Sequence, residues 1–441
     1  MDEKVQRTVL ENGVRILSEQ MDGVRSVSVG VLVDVGPKDE RPDECGYAHL
    51  LEHMLFQGTG ERDASSIAEM MEIGGGAMGA FTAREYTVYH ATVLDEYLTF
   101  ALEVLGDMLC NSVLPEEAIE RQRSVILNEI AGNADPLERA NALLKTQLWP
   151  DHPLGYPTTG SEKAVQSASR NSLLSFMSRH YIANKLVVAA AGNVVHNNFV
   201  SQVRDSFWQM KSGPIAPPPS PPIPQMGTVI VDRRDVQHVY FSLAWPAPAY
   251  TSSDRYTWHV FATLLGGGPT SRLYRRLREE LGLVYHISAH YQAYGNTGTV
   301  VVEGSTQPQT LVLVLAQTLI ELFKICDNNI NPDDHHRTVQ SLVSQHLISG
   351  DSAYVRMSRL VMQELYFRRI LPSEEIISGL REQSLAALHE VTQSLCATGL
   401  PTMALVGPLS EELVNAVGNM LSDFGEAPTI RLTSQPTIVA L

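Results

Sequence analysis

The sequence is short of cysteine, of basic charge and of long apolar runs, and each shortage bounds what the protein can be. Four cysteines (Cys45, Cys110, Cys326 and Cys396) are spread over 441 residues and form no CxxC pair, so free thiols in a reducing cytoplasm are expected. Cys45 lies one helical turn before His49, but a buried free thiol is the simpler expectation for it than a metal ligand. The formal net charge of −16 argues against nucleic acid, which needs a basic face. It permits attraction of basic or neutral substrates, and it equally serves solubility. No run of 18 or more apolar residues occurs, so no membrane span is expected. The first residues, MDEKVQRTVLENGVRIL, lack a basic segment followed by an apolar one; they suggest a strand and a hairpin turn at Glu11-Asn12-Gly13, not a signal peptide.

What is present fits a globular protein: 44% apolar and 19% charged residues over a length that suggests two or three domains. The clearest break is KSGPIAPPPSPPIPQ (211–225), in which seven prolines forbid a persistent helix or sheet. It lies near the midpoint, which suggests a duplication. VSVGVLVDVG (27–36) precedes a helix-like HLLEHMLFQG, and VYFSLAWPAP (239–248) precedes YTWHVFATLLGG (256–267). In each half β-like segments and long amphipathic helices follow (94–109; 308–323), then a closing strand (185–192; 401–407) and a last helix. Two α+β domains are expected, each a mostly antiparallel sheet packed with helices, at 1–210 and 226–441 with a linker at 211–225.

AHLLEHMLFQGT (48–59) holds the candidate chemistry. Leu50, Leu51, Met54 and Leu55 mark a buried helix, yet His49, Glu52 and His53 interrupt it, and buried titratable groups need compensation. On a helix, residues i and i+4 have Cβ atoms about 5–6 Å apart, so His49 and His53 can reach one ion. Glu52 flanks the same face and could take a proton from a metal-bound water. HxxEH inverts the HExxH zinc-protease helix with the same logic. The alternative is two helix histidines with a glutamate bonded locally, and the choice rests on a third ligand. Aligning Gly58 with Gly266 places Thr257, Val260 and Phe261 opposite the trio, so only one copy carries these groups.

GYAHLLEHMLFQGT, followed 76 residues after His53 by Glu129 in RQRSVILNEIAG, resembles the M16 family of inverzincin metallopeptidases. The resemblance implies one zinc ion per chain held by His49, His53 and Glu129, with Glu52 as general base. The rest of the chain is similar too. GGGAMGAFTAREYTVYH resembles the family's substrate-pairing segment, which implies substrate contacts at Gly79, Ala80, Phe81 and Thr82. LGGGPTSRLYRRLREELGLVY resembles the stretch carrying an Arg–Tyr pair, here Arg278 and Tyr285, implied to orient substrate and stabilise the oxyanion. The length resembles the short M16B branch, which implies a clamshell of two lobes enclosing a chamber, and a homodimer or a heterodimer with another M16 chain. Two positions depart from the pattern: Gly79 replaces an asparagine that holds the substrate backbone. Gln122 replaces a glutamate, keeping hydrogen bonding beside the metal but losing a charge.

Other signals carry less. Neither Gly74-Gly75-Gly76 nor Gly266-Gly267-Gly268 is followed by GK[ST], so no phosphate loop is expected. His286 and His290 lie in a β-like run, about 13 Å apart and too far for one ion. His335-His336 follows a helix start and is expected in solvent. The expectation is a cytoplasmic zinc endopeptidase of peptides or unfolded segments, with no nucleic-acid or membrane partner. The alternatives are a non-catalytic or partner-dependent subunit, and a protease dedicated to one precursor peptide.

Overall fold

The structure, a computed structural model, describes residues 5–433 except 74, 75, 134, 218, 328, 329, 426 and 427; Gly74 and Gly75 of the first glycine run therefore lie outside the described residues. The first half contains β1 (Val5–Val9), β2 (Arg15–Gln20), β3 (Ser26–Val33), α1 (Tyr47–Leu55), α2 (Ala64–Ile73), β4 (Ala77–Thr82) and β5 (Thr87–Leu94). It continues with α3 (Leu98–Asn111), α4 (Glu116–Asn128), α5 (Pro136–Leu148), α6 (Glu162–Ser167), α7 (Arg170–His180), β6 (Leu186–Gly192) and α8 (His196–Phe207). The second contains β7 (Thr228–Arg233), β8 (Val239–Ala247), α9 (Arg255–Gly266), β9 (Val284–Ala293), β10 (Gly298–Thr306) and α10 (Leu311–Cys326). Then come α11 (Pro332–Ser349), α12 (Ala353–Phe367), α13 (Ser373–Arg381), α14 (Leu385–Ala397), β11 (Thr402–Gly407), α15 (Glu411–Ser422) and β12 (Thr429–Leu432).

The duplication is written in the sheets. The first is ordered β1-β2-β6-β3-β5-β4 and the second β12-β7-β11-β8-β10-β9. From the second position onward the two orders correspond strand for strand, including one parallel pair in each, β2 with β6 and β7 with β11. Only the outer strand differs: β1 runs antiparallel to β2, whereas β12 runs parallel to β7. The hairpin at residues 11–13 forms as the sequence suggests, with Gly13 at φ +90°. Such an angle strains any side chain with a Cβ, so glycine fits the position.

The compact units do not follow the linear halves. The first comprises 1–130, 156–219 and 346–372; the second comprises 131–155, 220–345 and 373–441. Each sheet thus has one face covered by a helix from the other half of the sequence. In the first unit α12 lays Met357, Leu360 and Val361 on Leu17, Leu32, Val88 and Val187. A Cβ on Gly30 would stand 2.3 Å from the Met357 sulfur, so the missing side chain admits the helix. In the second unit α5 lays Ala140 and Leu144 on the small residues Ala244 and Ala404. Strands covered on both faces are buried along their length, which is why LVVAAAG is apolar throughout and VSVGVLV is buried at every position.

Two expectations are corrected. Cys326 and Cys396 are bonded to each other, while Cys45 and Cys110 remain free. The pairing was hidden because 70 residues separate two cysteines that the packing of α10 on α14 brings together. It also withdraws part of the argument for a reducing compartment. His335 is half-buried rather than solvated, and only His336 is exposed. By length and composition Pro308–Cys326 could cross a membrane, but half of it is buried, with Val314, Leu315 and Leu319 in the core of the second unit.

Candidate metal centre

The site begins with how α1 is held. Gly46 precedes the helix in the left-handed region (φ +103°) and has no side chain to cap it. Glu40 supplies the cap from outside: its two carboxylate oxygens accept from the Gly46 and Ala48 amides, each at 2.8 Å. Burial pushes this carboxyl up to about 8, against the pull of the two amides. Gly46 also meets Gly160 backbone to backbone, since a Cβ on Gly46 would fall 2.7 Å from the Gly160 Cα. With the start of the helix pinned, Leu50, Leu51, Met54 and Leu55 are fully buried on one face. His49, Glu52 and His53 are half-buried on the other.

The facing helix α4 presents Gln122, and Glu129 follows it immediately, seven residues on and so on nearly the same face. Glu129 opens a π-helical turn, Glu129–Asn133, a distortion frequent at functional sites. His49, His53 and Glu129 each offer one ligand atom, all within 4.8 Å of one another. His49 Nε2 lies 3.3 Å from His53 Nε2 and 3.8 Å from Glu129 Oε2. On the far side of its ring, His53 Nδ1 donates to Gln122 Oε1 at 3.0 Å, which leaves the Nε2 lone pair aimed at the cluster.

These residues fit a zinc ion. The donor set of two imidazoles and one carboxylate is that of an open zinc site. Two imidazole nitrogens facing each other are poorly served by hydrogen bonding alone, and His49 Nδ1 is buried with no partner of its own. Burial, with the neighbouring His53, holds His49 down at about 4, so its ring is neutral and able to ligate at neutral pH. Glu129 keeps 40% of its side chain exposed, so the cluster is reachable from solvent. Beside it, the Thr82 hydroxyl donates to Glu52 Oε2 at 2.6 Å. Burial raises the Glu52 pKa, and the Thr82 hydrogen bonds oppose that shift.

Comparison with known proteins agrees with this geometry. The family model described as Insulinase (Peptidase family M16) matches residues 15–162, and that of the Peptidase M16 inactive domain matches residues 167–342. A protein of Streptomyces coelicolor described as an uncharacterized zinc protease is 32% identical over 92% of this chain and 90% of its own. An uncharacterized zinc protease of Bacillus subtilis is 30% identical over 92% of this chain and 98% of its own. The chain belongs to the M16 metallopeptidase family. A solved protease from Helicobacter pylori shares its fold, with a TM-score of 0.85 and 18% identity over 92% of this chain and 99% of that one.

The remaining M16-type positions are distributed over both units. Gly79, Ala80, Phe81 and Thr82 lie on β4, the outer strand of the first sheet, which pairs with β5 alone. A Cβ on Gly79 would come within 3.2 Å of the His90 ring, so a larger residue there would crowd that histidine. In the second unit Arg278 sits in the π-helical turn Tyr274–Glu280, and Tyr285 sits near the start of β9. The guanidinium lies over the Tyr285 ring, 5.1 Å from its centroid, and over Tyr274 at 4.9 Å. Tyr285 is 81% exposed. His286 and His290 lie on the strand β9, as their pattern implied. Sequence reasoning missed Glu40 and the hydroxyl partner of Glu52. The glycine opening α1, with no capping side chain of its own, is the signal that could have pointed to an external cap.

Proposed function

We propose that the chain is a zinc-dependent endopeptidase acting on peptides or unfolded segments. The observation that carries this reading is the convergence of His49 Nε2, His53 Nε2 and Glu129 Oε2 beside the carboxylate of Glu52. A bound zinc ion supplies Lewis acidity, polarising the scissile carbonyl and lowering the pKa of water to about 7. Glu52 takes the proton of the attacking water and passes it to the leaving amine. Its partly buried setting suits the first role, because a carboxylate with a raised pKa is a stronger proton acceptor. Arg278 and Tyr285 bring donors to the developing oxyanion. The outer edge of β4 accepts the substrate as an added strand, giving binding through the main chain that tolerates many sequences. Assembly as a dimer, with itself or with another M16 chain, belongs to the same reading.

The test is metal analysis of the purified protein together with a chelator-controlled digest of a mixed peptide library. One zinc per chain and chelator-sensitive cleavage are expected, with His49→Ala and His53→Ala losing metal and activity together. Full occupancy in both variants overturns the ligand assignment. Glu52→Gln should keep zinc and lose about 10²–10⁴ in rate; near wild-type cleavage by this variant overturns its role as the base.

A further inference from the structure

Glu52 is joined to β4 by more than proximity. The Thr82 hydroxyl donates to Glu52 Oε2 at 2.6 Å, and the Thr82 backbone amide also lowers the pKa of that carboxylate. The ladder explains why that amide is free. Ala83 N–H donates to Tyr86 O across the β4–β5 hairpin, and in an antiparallel pair the next residue turns its N–H the other way. Thr82 therefore sends its N–H to the unpaired outer edge of β4, on the side of the Glu52 carboxylate whose pKa it lowers. Alternation also sends the side chains of Ala80 and Thr82 to the α1 face of the sheet, with Ala80 packed in that core, while Gly79 and Phe81 face the other way toward His90. A hydroxyl donor at the end of a strand braced by five neighbours in register fixes the carboxylate as a loosely held glutamate would not be fixed.

We infer that Thr82 is a positioning residue for Glu52: by holding the carboxylate it keeps the second oxygen available to the water to be deprotonated. This deepens the endopeptidase reading and rests on Glu52 being the base. It also separates Thr82 from the other edge residues. A substrate strand on β4 finds outward-facing main-chain groups at Met78 and Ala80, whereas at Thr82 the Glu52 carboxylate stands against the strand.

Thr82→Val keeps the shape and the backbone amide and removes only the hydroxyl. Its crystal structure should show Glu52 turned away from β4 with the His49, His53 and Glu129 cluster unchanged, and metal analysis should show one zinc. With a peptide selected from the wild-type digest, kcat should fall about 10–100-fold, the loss expected when a reacting group is misplaced by an ångström, while KM moves less than threefold. Thr82→Ser restores the hydroxyl and should recover most of kcat. In the Glu52→Gln background, Thr82→Val should cause no further loss. Glu52 in an unchanged position in Thr82→Val, or a wild-type kcat with Glu52→Gln inactive, overturns the inference and leaves the base assignment standing. An active Glu52→Gln overturns the assignment itself, and the inference with it. A Thr82→Ser variant as slow as Thr82→Val also counts against it, because restoring the hydroxyl would then restore nothing.

Discussion

Gln122 Oε1 accepts a hydrogen bond from His53 Nδ1 at 3.0 Å, so a neutral amide orients an imidazole of the candidate metal cluster. A carboxylate there would also raise the basicity of the ring; the amide supplies direction without the charge. Gln122→Leu should therefore weaken zinc about 10–100-fold with little change in melting temperature, since Gln122 is only half-buried. Gln122→Glu should hold zinc at least as tightly as wild type. Competition with a chromogenic chelator measures both, and an unchanged affinity in Gln122→Leu would show that the hydrogen bond is incidental.

The second unit is expected to be required for catalysis although it holds no metal ligand among its described residues. Tyr285→Phe removes one hydroxyl from an exposed ring, so folding and zinc content should not change. Losing one oxyanion donor typically costs about 10²–10³ in rate, and kcat should fall on that scale. Wild-type turnover in Tyr285→Phe would remove this residue from the chemistry. Steady-state kinetics beside metal analysis decides it.

Glu40 gives the metal helix its start, and a glutamine cannot replace it. Only one end of an amide accepts, so Glu40→Gln sets an NH2 group against one of the Gly46 and Ala48 amides. A buried donor left without an acceptor costs about 1–3 kcal/mol, which urea denaturation should register as a lower midpoint at an unchanged slope. If the midpoint does not move, the cap contributes nothing to stability.

His180 predicts a slope of stability with pH. Burial, and then the charge of Lys185, hold this imidazole down to about 4 in the folded protein, against 6.5 for the free side chain. Between those values the unfolded chain binds more protons than the folded one. Stability is therefore full above pH 6.5 and declines as the pH falls toward 4. Melting temperature followed from pH 7 to pH 4.5 should drop less steeply in His180→Asn than in wild type. Parallel curves would show that His180 contributes none of the slope.

The shared face of His49 and His53 was legible because helical spacing is local: a 3.6-residue period places them together whatever the rest of the chain does. The duplicated order of strands and helices was legible for the same reason, since apolar runs and turn residues recur in each half. Glu129 was reached only by resemblance, because 76 residues separate it from His53 and no local rule spans that distance. Three things were decided by tertiary structure alone. α5 and α12 join the unit of the opposite half, because a sheet with two apolar faces is indifferent to where in the chain its covering helix comes from. Cys326 meets Cys396 because α10 packs on α14. Glu52 is held by Thr82 because a strand edge, 30 residues away in sequence, ends with its hydroxyl against the helix. Periodicity fixes which face a side chain takes on its own element; which element lies opposite depends on the summed packing of the whole core, which no short window of sequence contains.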